Sequence, residues 1–207
     1  MKLRIFSGNI LIKILLIFTS LFIVEAAKGQ LRYGFRFGGD FADARIKNVE
    51  NYSLINRSGF SGGLVLEYQF KNCGFAPDIA LLYARHNTRL RHNEADPGSF
   101  GRNFIDMPLH LKYKFWIKSF HDLFGPMIYA GPVCSFKLDH QNSYPLKTKV
   151  FQPGIDVGIG FDIVNFIQIS GGYRFGLGNA AKNFADYPDA VLRTNSWNVS
   201  ATLLFDF

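Results

Sequence analysis

From Leu31 to the end of the chain, apolar and polar residues alternate with a period of two in eight separate runs. That is the repeat of an extended strand, not of a helix. In the last run Trp197, Val199, Ala201, Leu203, Phe205 and Phe207 share one parity, opposed by Asn198, Ser200, Thr202 and Asp206, with only Leu204 out of place. The fourth run has no exception: Ile105, Met107, Leu109, Leu111, Tyr113 and Phe115 oppose Asp106, Pro108, His110, Lys112 and Lys114. The first sets Leu31, Tyr33, Phe35 and Phe37 against Arg32, Gly34, Arg36 and Gly38. The second sets Phe60, Leu64, Leu66, Tyr68 and Phe70 against Ser61, Gly63, Glu67 and Gln69. In the third, Phe75, Ile79, Leu81 and Tyr83 oppose Asp78, Ala80 and Ala84, and Leu82 dissents. The fifth, Phe124 to Leu138, is the weakest, because Tyr129 and Val133 stand where charges are expected. The sixth (Phe151 to Ile163) and seventh (Ile167 to Leu177) place Gln152, Asp156, Asp162, Gln168 and Arg174 with glycines on the polar side.

Alternation also suits a soluble sandwich, so two further features decide. Short connections near 71–74, 117–123 and 164–165 alternate with longer polar ones near 40–57, 86–101, 139–149 and 178–194. That is the layout of a membrane barrel with short turns on one side and long loops on the other. The apolar face is also bulky and aromatic while the opposite face is small or charged, the reverse of a water-soluble barrel. In lipid the polar face must be the inner one, because charged side chains are costly there and only a closed ladder satisfies the backbone. The fold expected is all-β: an eight-stranded antiparallel up-and-down transmembrane barrel with both mature termini in the periplasm. Pro108, Pro126, Pro132 and Pro153 fall inside these strands, and each removes a ladder donor, so bulges or strand ends are expected near them.

The N-terminus changes how the charge is read. Lys2 and Arg4 precede an apolar core from Ile10 to Val24, interrupted only by Lys13, Thr19 and Ser20, and Ala27-Lys28-Gly29 follows. The core is about fifteen residues, shorter than the ~20 of a spanning helix. Residues 1–29 therefore read as a cleaved signal peptide and 30–207 as the barrel domain. Cleavage removes four basic residues and Glu25, lowering the net charge from +7 to +4. The remaining charges are spread over loops and single strand faces, which excludes the clustered basic face of a nucleic-acid binder. The 22 Phe, 9 Tyr and 20 Gly suit strands and turns. Cys73 and Cys134 fall toward opposite barrel ends, so both are expected as free thiols.

The segment Ile105-Asp-Met-Pro-Leu-His-Leu-Lys-Tyr113 resembles the strand "φ-x-φ-Pro-φ-x-φ-Lys-Tyr/Phe" of the PorT-type outer-membrane β-barrel family, widespread in Bacteroidota. Ala130-Gly-Pro132, Gly158-x-Gly160 and Tyr173-Arg-Phe-Gly-Leu177 resemble its later strands. The last departs from the family's "Arg-Tyr-x-x-Gly-Leu" in having Tyr before Arg. The resemblance covers Leu31 to Phe207 and implies a barrel inserted by the outer-membrane assembly machinery, with Phe207 as the terminal aromatic signal. The family's founding member is associated with type IX secretion and gliding, which makes secretion-machinery subunits candidate partners.

No phosphate-binding, zinc or nucleophile-elbow motif is present, and no catalytic, cofactor-binding or metal residue is assigned. The strongest constellation is the inner face: Arg32, Arg36, Glu67, Asp78, Asp106, His110, Lys112, Lys114, Asp156, Asp162, Arg174 and Asp206. Eight strands leave room only for side chains, so these should pair and fill the lumen. Asp106 and His110 lie about 13 Å apart along one strand at ~3.3 Å per residue, too far to pair. A barrel enzyme would have to draw on His86, His92, Ser99, Glu94 and Asp96 near the second long loop. A metal site from His86, His92 and His140 matches no standard ligand spacing. Arg45, Lys47, Arg57, Arg85, Arg89, Arg91, Arg102, Lys147, Lys149, Lys182 and Arg193 are placed in the outer loops, facing solvent and anionic lipopolysaccharide. The reading is a non-enzymatic outer-membrane barrel with a structural or interaction role. A secretion accessory, a small-solute porin and a barrel enzyme are the alternatives.

Overall fold

The computed structural model describes residues 29–47, 52–56, 58–70, 74–92, 99–115, 124–138, 146–184 and 191–206. At 44–47, 52–56, 88–92, 99–101, 146–147 and 181–184 it describes the backbone alone. The expected signal peptide up to Lys28, Cys73, Glu94, Asp96, His140 and Phe207 lie outside the described residues.

Eight long strands form the wall: β1 (Gln30–Lys47), β3 (Ser58–Gln69), β4 (Phe75–His92), β5 (Ser99–Lys114), β6 (Phe124–Lys137), β8 (Phe151–Ile163), β9 (Ile167–Gly176) and β11 (Val191–Asp206). Each pairs antiparallel with its neighbours in the chain. The ring closes where the first stave meets the last, from Arg32↔Asp206 to Lys47↔Val191. This is the expected closed eight-stranded up-and-down barrel. Three short strands lie toward the end with the long connections. There β2 (Tyr52–Asn56) pairs with the far part of β4, and β7 (Leu146–Thr148) pairs with β10 (Ala181–Phe184).

Two expectations need correction. The stretches 40–57 and 86–101 are largely strand, since β1 runs to Lys47, β4 to His92, and β5 starts at Ser99. The prolines cause no bulge: Pro126, Pro132 and Pro153 sit in an unbroken register between β6 and β8. Partners are skipped at Ala80 and Leu81 opposite Pro108 and Met107, and at Leu109 and His110 opposite Pro132 and Gly131, but the register resumes unchanged beyond each gap. A missing N–H costs one rung without requiring an extra residue. At the second gap Gly131 lets the two backbones approach closely, because a Cβ there would stand 1.9 Å from the Leu109 carbonyl oxygen.

The outer surface between the two ends is apolar, with Phe37, Leu64, Ile159 and Trp197 all more than half exposed. Aromatic side chains gather at two levels. Tyr33–Phe205, Tyr68–Phe70, Phe75–Tyr113–Phe115 and Phe124–Phe161 ring the end with the short turns. Phe60–Tyr83, Phe136–Phe151 and Phe175–Tyr173–Trp197 ring the other. Tyr173 also donates its hydroxyl to Asp43 at 2.8 Å, an apolar ring with a wet tip. From Tyr33 to Phe41 on β1 is about 27 Å at ~3.4 Å per residue, or roughly 20 Å of height at a ~40° tilt, close to the ~25 Å apolar band of membrane barrels.

Val164 and Asn165 adopt φ of 53° and 59° in the β8–β9 turn, and the Phe166 N–H bonds back to the Ile163 carbonyl. Positive φ at both central positions is the type I′ hairpin geometry that matches strand twist.

Candidate functional site: the barrel lumen

The polar parity of every stave faces inward, so its charges meet across the lumen. Arg32, Arg36, Glu67, Asp78, Asp106, His110, Lys112, Lys114, Asp156 and Asp162 are all buried. Arg174 joins them with a side chain 12 % exposed. Asp206 departs from the expectation: it keeps the inward parity but stands at the rim, 58 % exposed, 3.2 Å from Arg32 Nε.

Toward the short turns the charges form a dense plug. Glu67 accepts from Lys112 Nζ at 2.6 Å, Lys114 Nζ at 2.7 Å and Gln168 Nε2 at 3.0 Å, with Arg32 at 3.4 Å. Lys114 bridges onward to Asp162 at 2.7 Å, and Lys112 to Gln168 at 2.7 Å and Asp78 at 2.6 Å. An isolated carboxylate could not remain charged out of water; four donor side chains on one carboxylate are what make its burial tolerable.

Halfway along, Arg36 binds Asp78 and donates to Thr202 Oγ1 at 3.1 Å. His110 lies between Asp78 (3.5 Å) and Asp156 (3.3 Å), its ring against Tyr129 at 4.9 Å. His110 therefore pairs with Asp78 directly opposite on β4 and with Asp156 on the non-adjacent β8, and not with Asp106 on its own strand. Tyr129, one of the residues that weakened the fifth run, turns inward and donates to Asn198 at 3.1 Å. Its ring fits because Gly158 and Gly172 face it: a Cβ would meet the ring at 2.4 Å from the first and the hydroxyl at 2.3 Å from the second. The two apolar dissenters also meet inside, where Leu82 and Leu204 pack with Val65 and Ala80.

Nearer the long connections Arg174 holds Asp106 at 2.6 Å and Asp156 at 2.9 Å. Small cavities of about 40 Å3 and 60 Å3 lie on its two sides, and Arg174 is the one residue that lines both. Each has room for a few water molecules, since one needs ~10–15 Å3, and neither approaches the ~300 Å3 of a drug-sized ligand site.

His86 and Arg102, assigned from sequence to the second loop and the outer surface, are cross-strand partners on β4 and β5 and line the larger cavity. His86 points down at Asp106, 3.9 Å away. His92 and Ser99 lie on strand ends described by backbone alone, so the proposed gathering of His86, His92, Ser99, Glu94 and Asp96 falls mostly outside the described side chains. The same holds for the His86, His92 and His140 trio. Among the described residues no group of His, Cys, Asp and Glu is placed to hold a metal ion. Cys134 is a free thiol.

Comparison with known proteins gives a family. The sequence model described as "Outer membrane protein beta-barrel domain" matches residues 25–182. No curated protein matches the sequence. Among solved structures the chain is similar to Neisserial surface protein A, at 13% identity and TM-score 0.48, covering 84% of this chain and 97% of that one. It is also similar to Ail of Yersinia pestis in complex with sucrose octasulfate, at 10% identity and TM-score 0.44, covering 85% and 99%. AlkL in lipid bilayers follows at 15% identity and TM-score 0.45, covering 84% and 90%.

Proposed function

The chain belongs to the outer membrane protein beta-barrel domain family and is an outer-membrane barrel; on that premise we propose that it is non-enzymatic and non-conducting, and acts through the surface it displays. The observation that carries this reading is the luminal plug: Glu67 and Lys114 have essentially no exposed side-chain surface, and they bridge staves on opposite sides of the barrel. A lumen closed by paired charges leaves the two membrane-distal rims as the surfaces that can meet another molecule. With the short turns in the periplasm, as in barrels of this layout, both mature termini are periplasmic and the long connections face outward.

Liposome swelling with small sugars and amino acids tests the closed lumen: swelling at the protein-free rate is expected, and faster swelling would restore the porin reading. A display role predicts a partner that co-purifies with the wild-type barrel and is lost when residues 93–98 and 139–145 are replaced by Gly-Ser segments. The PorT-like strand Ile105–Tyr113 supports a narrower version, an accessory of type IX secretion. It predicts co-purification with secretion subunits and a surface-export defect on deletion.

A further inference from the structure

The geometry points to a binding site for one fixed water molecule between Asp40 and Asn198, inside the lumen on the plug side of Arg174. The two residues face each other across β1 and β11, on the inner parity of both strands. Side chains so placed have Cβ atoms about 5 Å apart, a gap that one small ligand can bridge. Asp40 is only 4 % exposed, and its Oδ2 has no hydrogen-bond partner. Neither has Asn198 Nδ2. Tyr129 fixes which way the Asn198 amide lies, because its hydroxyl donates to Oδ1 at 3.1 Å. One strand therefore offers an acceptor that needs a donor, and its neighbour a donor that needs an acceptor. Both residues line the cavity of about 40 Å3, room for about three waters at ~10–15 Å3 each.

Water answers both groups at once: it donates one O–H to Asp40 Oδ2 and accepts the N–H of Asn198. A cation would suit the carboxylate but would meet the amide N–H, with Arg36, Lys112 and Arg174 around the same cavity. An anion would meet Asp40 and Asp156. The second proton of the water has acceptors close by. Ser61 and Ser200 flank Gly38, where a Cβ would stand 3.0 Å from Ser61 Oγ, and Ser200 Oγ lies 2.9 Å from Ser170 Oγ. A buried water needs two to four polar partners, and this site supplies them. Arg36 with Asp78 lies on one side of it, and Arg174 with Asp106 and Asp156 on the other. The water is held and exchanges slowly, and through Asn198 it steadies the inward Tyr129. Water binding and conduction are separate properties, one read by NMR and the other by conductance, so either can fail alone.

The test uses the full mature barrel, 15N-labelled in detergent micelles, with water–protein NOE and ROE spectra read at the side-chain NH2 of Asn198. A water cross-peak with NOE and ROE of opposite sign is expected, the mark of a water held far longer than surface water. Asp40→Asn keeps an acceptor and should keep the cross-peak; Asp40→Leu fills the space with apolar atoms and should abolish it. Tyr129→Phe removes the nearest hydroxyl that could relay solvent protons, and the cross-peak should survive. Should Asp40→Leu fail to give the heat-modifiable barrel, a crystal structure of the wild-type protein reads the same site. A density peak about 2.6–3.2 Å from both Asp40 Oδ2 and Asn198 Nδ2 is expected there. The inference is overturned by no cross-peak in the wild type, by one that survives Asp40→Leu or is lost in Tyr129→Phe, or by a direct Asp40–Asn198 hydrogen bond. A peak with oxygen neighbours alone at ~2.3–2.6 Å, as for a metal cation, would overturn it too.

Discussion

The two halves of the lumen are built from the same residue types but differ in density. Near the short turns, Arg32, Glu67, Lys112, Lys114, Asp162 and Gln168 interlock through direct ion pairs and hydrogen bonds. Near the long connections, Arg174 stands between two small cavities, and Asp40 is buried with Oδ2 lacking a hydrogen-bond partner. Composition does not explain the contrast; side-chain reach does. Lys112 and Lys114 are long enough to cross the barrel and converge on one carboxylate. The acids of the other half are short, and glycines such as Gly154 and Gly176 line the space around Arg174. One half is a seal and the other a vestibule.

The largest expected effect strikes the seal. Glu67→Ala leaves Lys112 and Lys114 short of their shared partner, and stripping one member from a buried ion-pair cluster costs about 3–5 kcal/mol. The shift should show in urea unfolding followed by the loss of heat-modifiable gel migration. A cost near zero would mean that water already reaches those lysines. Next comes the midpoint of the lumen: Gly158→Ala forces a methyl group against the Tyr129 ring and the Gly171 carbonyl oxygen, 2.4 Å and 2.5 Å from the new Cβ. Overpacking of this kind costs about 1–3 kcal/mol, read from the same unfolding curves.

The counterpart of Glu67 in the vestibule is Asp40. Asp40→Asn removes a buried charge that lacks a partner on one oxygen, and should change stability by less than about 1 kcal/mol, in either direction. If Asp40→Asn costs as much as Glu67→Ala, the two halves are equally sealed and the contrast is wrong. The smallest effect lies outside the lumen altogether. Val164 is a β-branched residue at positive φ in a type I′ turn, where Asn is preferred, so Val164→Asn should stabilise the hairpin by about 0.4–1 kcal/mol.

How much of this was legible in the sequence follows the same division. Alternation identifies a wall only where one face meets lipid and the other does not. Along Ile105–Phe115 that condition holds, and every side of the strand was assigned correctly. Beyond the aromatic girdle the alternation of apolar and polar residues fades in the sequence, and the strand extensions to Lys47 and His92 look like loops. For this reason His86 and Arg102 were placed outside when they belong to the lumen. Leu82 and Leu204 looked like errors of pattern because each needs the other: they pack together from strands far apart in the chain, with Val65 and Ala80. Partners within the plug were equally hidden, since the stagger between staves sets which charge meets which, and residue types do not encode it. His110 finds Asp78 and Asp156 for that reason, although Asp106 is nearer in sequence.

The central claim, a lumen sealed by paired charges, is tested most directly by recording the purified mature barrel in a planar lipid bilayer. No single-channel steps above the protein-free baseline are expected in molar potassium chloride. Stable, ohmic steps from the wild-type protein would contradict it.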